Sequence, residues 1–168
     1  MAIRYEGKLY RALNPIFAHE PLSGRGAELY GGRFNPKGTA ALYLATSLRT
    51  AIREANQVGD LQPTTIVAYE CVIEDVLDSR DLGELSKFGM TPSDLADPGW
   101  RDQMQKNGKS RTQIFSEALM AAGFNGLLVR SFARGANDDD LNMVLLRWSD
   151  GPPSQITLID DQGRLTTN

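Results

Sequence analysis

Apolar positions recur along this chain at two spacings, and the spacing sorts it into strands and helices. Residues 8–13 alternate loosely and predict a short strand ending before Asn14-Pro15. Residues 40–45 are a short apolar run, read as a buried strand, and residues 65–73 are a clear strand by their β-branched content. Further strands are predicted at 126–131 and 141–148. After Pro152-Pro153 a terminal hairpin is expected, 156–159 against 164–166, turning through 160–163. Helical spacing appears twice. Leu48, Ala51, Ile52, Ala55 and Val58 form one stripe, on a helix capped by Thr46 or Ser47 and reaching Val58. At about 100° per residue Glu54 falls about 40° beyond Val58, at the seam between core and solvent, while Arg53 points to the far side. Ile114, Phe115, Ala118, Leu119 and Ala122 form the second stripe, over 112–122, and Gly123 stops that helix.

Between these elements the pattern breaks. Residues 19–39 hold five glycines and few large apolar groups, which predicts loops and tight turns rather than a helix. Residues 75–110, with Pro92, Pro98, Gly99 and Gly108, are polar and turn-rich and read as a mobile excursion with short helices. Strands outnumber helices and no regular βαβ alternation exists. The fold class is therefore α+β, a mixed, mostly antiparallel sheet with flanking helices. No repeat or linker interrupts the 168 residues, so residues 1–168 read as a single domain.

Composition removes several chemistries. One cysteine, Cys71, excludes an internal disulfide and any cysteine-based zinc site. One histidine, His19, excludes a multi-histidine metal cluster; it reads as a surface residue, and Cys71 as a small core residue rather than a nucleophile. Asp138-Asp139-Asp140 reads as a solvated turn rather than a metal site, and no metal is expected. With no long apolar run and no secretory leader pattern, a cytoplasmic protein without membrane contact is expected. A net charge of −3 argues against direct nucleic-acid binding. The charge is uneven: residues 1–54 carry a net +4 and the remaining 114 a net −7. An anionic ligand would favour the first third, although scattered surface charge explains the same count.

Gly24-Arg25-Gly26 begins like a dinucleotide fingerprint, but Leu29 holds the third glycine position. Gly108-Lys109-Ser110 ends like a P-loop, but Gln103 stands where its first glycine belongs. What remains unusual is Leu29-Tyr30-Gly31-Gly32-Arg33-Phe34-Asn35-Pro36-Lys37-Gly38. Paired glycines let the backbone reach positive φ and approach a ligand closely. Arg33 follows with a planar fork suited to phosphate, and Tyr30 and Tyr43 offer aromatic faces. A glycine-rich turn with an exposed Arg fits the same spacing equally well.

Tyr10-Arg11, the Tyr30–Gly38 block, Tyr43, Ser47-Leu48 and Glu54, with Ser131 and Asn142 far downstream, resemble the RES-domain family. Its members, named for Arg, Glu and Ser, are toxins of bacterial toxin–antitoxin pairs. The resemblance runs from Tyr10 to Trp148 and is densest between Tyr30 and Glu54; Phe34 replaces the usual Trp, and Arg130 precedes Ser131 where Pro is common. It implies a fold like that of ADP-ribosylating toxins and cleavage of the nicotinamide–ribose bond of NAD⁺, with ADP-ribose passing to water, phosphate or a protein acceptor. It also implies that Glu54, Arg33 and Ser131 are catalytic, and that Tyr30, Arg33 and Tyr43 bind NAD⁺ with support from Arg11 and Asn142. No covalent nucleophile is implied. Glu54 would stabilise an oxocarbenium-like state, Arg33 and Arg11 would hold the pyrophosphate, and Ser131 would hydrogen-bond the substrate. A cognate DNA-binding antitoxin that blocks the pocket is implied as partner, and homodimerisation by analogy only. Two other readings stay open: a specific protein mono-ADP-ribosyltransferase with little bulk NAD⁺ degradation, and a non-catalytic NAD or ADP-ribose-binding module.

Overall fold

The structure, a computed structural model, describes residues 1–57 and 59–165. Strand β1 (Ile3–Leu13) turns Leu9 and Leu13 inward, and β3 (Thr65–Asp78) does the same with Val67, Tyr69, Cys71 and Ile73. The two pair antiparallel from Tyr5↔Ile73 to Leu13↔Thr65. Strands β2 (Leu42–Ala45), β4 (Gly126–Arg130) and β5 (Leu141–Leu145) complete the order β1-β2-β5-β4-β3, so the β1–β3 ladder closes five strands into a ring. A sixth, β6 (Ser154–Leu158), lies along Tyr69–Ile73 of β3. Only β3 and β4 run parallel, because a helical crossover joins them, as parallel pairing requires. The predicted α+β class, mostly antiparallel, is the one observed.

Side-chain alternation then divides the interior in two. Leu42, Leu44, Leu128, Met143 and Leu145 face the inside of the ring with the β1 and β3 residues. Leu127, Val129, Val144 and Leu146 face outward, under a helical layer. That layer consists of α3 (Leu82–Ser86), α4 (Pro92–Leu95), α5 (Trp100–Asn107) and α6 (Arg111–Ala121). The expected excursion is therefore a packed layer: Leu85, Met90, Leu95 and Trp100 are buried, and Phe88 meets Phe115 and Phe124 edge-on, with ring centres at 5.8 and 6.0 Å. Each such side chain taken out of water contributes about 1.5–3 kcal/mol, more than loop entropy per residue removes.

Four further differences from the sequence-based expectation have local causes. A six-residue helix, α1 (Arg25–Tyr30), stands in the glycine-rich window. Gly24 and Gly31 bound it: a Cβ on Gly24 would come within 2.7 Å of the Trp148 ring, and Gly31 has φ +74°. Strand β3 continues five residues past Ile73, because Asp75 at φ +54° kinks it and hands it from β6 to β4. Asn125 fixes the kink, its N–H on the Asp75 carbonyl at 2.9 Å and its side chain on the Glu74 carbonyl at 2.9 Å. Helix α2 (Leu48–Ala55), capped by Ser47, ends at Asn56, and the predicted stripe residue Val58 lies outside the described residues. The chain after β6 forms no second strand among the described residues: Asp160 caps a turn by accepting from the N–H groups of Arg164 and Leu165, and Thr166 lies outside them. No described helix is long and apolar enough to cross a membrane.

Candidate functional site

Helix α2 is held by polar contacts where an apolar stripe was expected. Leu48 is 47% and Ile52 42% exposed, whereas Thr50 and Ala51 are buried. The Ser47 Oγ accepts from the Thr50 N–H at 3.1 Å and caps the helix. Thr50 donates its hydroxyl to Asp140 Oδ1 at 2.7 Å, and Arg53 pairs with the other carboxylate oxygen. Asp140 Oδ2 also accepts from the Asn137 N–H at 2.7 Å, and its carbonyl from the Ser131 N–H at 2.7 Å. Asp140 thus joins α2 and the Asn137 loop through its carboxylate, and the end of β4 through its carbonyl. Asp138, its side chain 85% exposed, and the exposed Asp139 form the solvated turn expected of this acidic run, and Asp140 alone departs from it.

The Asn137 N–H first, then the Thr50 hydroxyl and Arg53, hold the Asp140 carboxyl below its usual range. A carboxyl that titrates lower folded than unfolded stabilises fully above the unfolded value of about 4. That stabilisation is lost as pH falls from there through the folded value. Asp140→Asn is accordingly expected to lower the urea midpoint at pH 7 and to leave it close to wild type near pH 2. A deficit equal at both pH values would contradict this role.

Opposite Asp140 the next turn of α2 presents Glu54. Its Oε1 accepts from the Ser131 hydroxyl and from Asn142 Nδ2 at 2.7 Å, and its Oε2 from Gln57 Nε2. The Ser131 Oγ accepts from the Ala133 N–H at 3.2 Å, so its single proton is directed at the carboxylate. Asn142 Oδ1 is buried and accepts no hydrogen bond from the described residues. A buried acceptor without a donor is costly, and here it stands beside a cleft.

Two cavities meet at this carboxylate. One, of about 280 Å³, is lined by Tyr10, Arg11, Leu44, Ala45 and Ala51; the other, of about 210 Å³, by Arg33, Phe34, Trp100, Arg101 and Phe132. Tyr43, Glu54 and Asn142 line both. A larger hollow of about 680 Å³ lies between α5 and α6, but its cations are already paired, Lys109 with Glu117 and Arg111 with Asp94.

The Gly31–Asn35 turn sets Arg33 into the second cavity. Asn35 is 1% exposed; its Nδ2 donates to the carbonyls of Ala27 at 2.8 Å and Thr39 at 2.9 Å. The Tyr43 hydroxyl donates to Asn35 Oδ1 at 2.6 Å and accepts from the Phe34 N–H at 3.0 Å. Burial pushes the Tyr43 pKa up, so it is a neutral phenol. A Cβ on Gly32 would stand 2.5 Å from that hydroxyl, so this close approach serves the protein's own tyrosine rather than a ligand. Gln113 caps α6 with its Oε1 on the Ser110 N–H and clamps the turn with its Nε2 on the carbonyls of Gly32 and Asn35. Arg33 then donates Nη1 to the carbonyls of Leu95 at 3.1 Å and Asp97 at 2.7 Å, and lies 4.4 Å from the Phe132 ring centre. Burial, then the charge of Arg101, lower its pKa, against Asp97 and Glu54.

Of the residues singled out from sequence, Arg33, Tyr43, Glu54, Ser131 and Asn142 come together here. Arg11 lines the first cavity, but its Nη1 is engaged by the carbonyls of Pro21 at 3.1 Å and Ser23 at 3.2 Å. Tyr30 ends α1, is 74% exposed and lines neither cavity. The Ser131 hydroxyl is bonded to Glu54. Cys71 is buried, and burial pushes its thiol up to about 12, which keeps it protonated at neutral pH. Gln57, Trp100, Arg101 and Phe132 were not anticipated. Gln57 stands three residues after Glu54, a helical spacing that signals contact, whereas the other three carry no local signal.

Residues 8–168 match the RES domain family. The chain is 48% identical over 72 residues to "Toxin Res" of Yersinia enterocolitica serotype O:8 / biotype 1B, covering 43% of this chain and 47% of that protein. It is 43% identical over 53 residues to "Toxin Res" of Photorhabdus laumondii subsp. laumondii, covering 31% and 34% respectively. The chain thus spans about half the length of one of these curated relatives and a third of the other. Among solved structures, the M. tuberculosis MbcT–MbcA toxin–antitoxin complex contains a chain with the same fold, at TM-score 0.65 and 22% identity, over 95% of this chain and 84% of that one.

Proposed function

The chain belongs to the RES-domain family, and from that premise we propose that it is a toxin that cleaves the nicotinamide–ribose bond of NAD⁺ and passes on ADP-ribose. One observation carries this: a carboxylate oriented by a hydroxyl and two amides at the wall between two cavities. In the cleavage, the C1′–N bond breaks and its electron pair leaves with neutral nicotinamide. Positive charge develops on the ribose, and Glu54 offsets it without forming a bond. An acceptor oxygen then attacks C1′ and loses its proton, giving ADP-ribose when the acceptor is water. The free Asn142 Oδ1 suits a hydroxyl donor on the same ribose.

Incubating the protein with NAD⁺ and following nicotinamide by chromatography tests this reading. Release without lysate is expected, and its dependence on phosphate identifies phosphate or water as acceptor. Label appearing on one lysate protein, with slow release alone, would favour a specific ADP-ribosyltransferase. Binding without release or label would leave a binding module.

A toxin of this kind needs restraint, and a cognate antitoxin covering the cleft is part of the proposal. The complex named above is of that type, and the exposed Leu48 and Ile52, on the helix that carries Glu54, give such a partner an apolar foothold.

A further inference from the structure

Arg101 makes no ion pair among the described residues. Its guanidinium lies 4.4 Å from the centre of the Trp100 ring, and among the described residues it has no carboxylate within ion-pair distance. The same holds for Arg33, which is braced by two backbone carbonyls and by Phe132. Both line one cavity of about 210 Å³, close enough that the Arg101 charge acts on Arg33. Two fixed cations facing one cavity repel each other unless an anion lies between them. Each fork accepts the oxygens of one phosphoryl group, so two forks match two linked phosphoryls.

We propose that Arg33 and Arg101 together form a diphosphate site, with Arg101 as its second arm. This rests on the NAD⁺-cleaving function proposed above, and it gives the substrate a direction. Glu54 lies at the wall this cavity shares with the first and repels an anion there, which leaves that side to the ribose. The nicotinamide then lies beyond Glu54, in the cavity of Tyr10, Leu44 and Ala45. Arg11 lies on that side, its Nη1 on the carbonyls of Pro21 and Ser23.

The test titrates ADP into wild type, Arg101→Gln and Arg101→Lys by calorimetry, in a buffer free of phosphate. Loss of a charge-assisted contact to phosphate is expected to weaken ADP binding in Arg101→Gln by about tenfold to a hundredfold. Arg101→Lys is expected to recover part of that loss. Arg101 is exposed on α5, so the Gln variant is expected to unfold at the wild-type temperature, which a melt verifies. Wild-type affinity for ADP in Arg101→Gln, or no ADP binding by wild type, would overturn the diphosphate site. Nicotinamide release from NAD⁺, measured alongside, reads the other proposal separately. ADP binding through Arg101 without release keeps the site and removes the reaction; release with unchanged ADP affinity in Arg101→Gln keeps the reaction and removes the site.

Discussion

Glu54→Gln is expected to lower nicotinamide release by more than tenfold and up to about a thousandfold while the protein stays folded. The substitution keeps the shape and one acceptor oxygen, so Ser131 and Asn142 can still donate to it. It removes the charge. A unit charge pair about 4 Å apart, at an effective dielectric near 20, interacts by about 4 kcal/mol. The positive charge sits on the nicotinamide ring in the ground state and moves to the ribose at the barrier. The part of that interaction gained in the move enters the rate, at a factor of ten per about 1.4 kcal/mol, and the full ~4 kcal/mol is its ceiling. Chromatography of nicotinamide measures the loss, and a melting temperature within a few degrees of wild type shows that chemistry alone has changed. Residual release above about a tenth of wild type would remove Glu54 from the reaction.

The largest effect on stability is expected at Asn35, outside the reacting groups. Asn35→Ala strips a buried amide that bonds the carbonyls of Ala27 and Thr39 and accepts from Tyr43. Each buried partner left unpaired costs about 1–3 kcal/mol, so the three together cost roughly 3–9 kcal/mol. At about 2–4 °C per kcal/mol for a chain of this size, the melting temperature should fall by at least about 6 °C. Turnover should fall with it, because the same turn sets Arg33 against Leu95 and Asp97. Thermal unfolding followed by circular dichroism provides the measurement; a drop of less than about 3 °C would mean that the turn holds its shape without this amide. Asn35→Asp is expected to do no better, since it turns a donor facing carbonyl oxygens into a buried charge.

Strands such as Thr65–Asp78 are legible where they alternate, and α2 is legible from its cap, because these signals act within a few residues. The end of β3 is hidden by Glu74-Asp75, a polar pair that breaks the pattern while Asn125, fifty residues on, keeps the strand going. Apolar stripes mislead at α2 and α6 for one reason. Both helices bury polar side chains, Thr50 in α2, and Thr112, Gln113 and Ser116 in α6, to hold neighbouring backbone, and leave Leu48, Ile52 and Ile114 outside. Arg33, Tyr43, Glu54, Ser131 and Asn142 were gathered by a family motif, not by periodicity. Trp100, Arg101 and Phe132 escape any local reading, because what aims them is the packing of α4 and α5 beside Arg33.

The order of the chain gives the Glu54 cluster a history in time. A ribosome delivers Glu54 long before its partners: Ser131 follows 77 residues later and Asn142 88. At roughly 5–20 residues per second that interval is on the order of 10 s. During it the Glu54 carboxylate lacks both of these donors. The cleft is therefore finished only when β5, which carries Asn142, has been made.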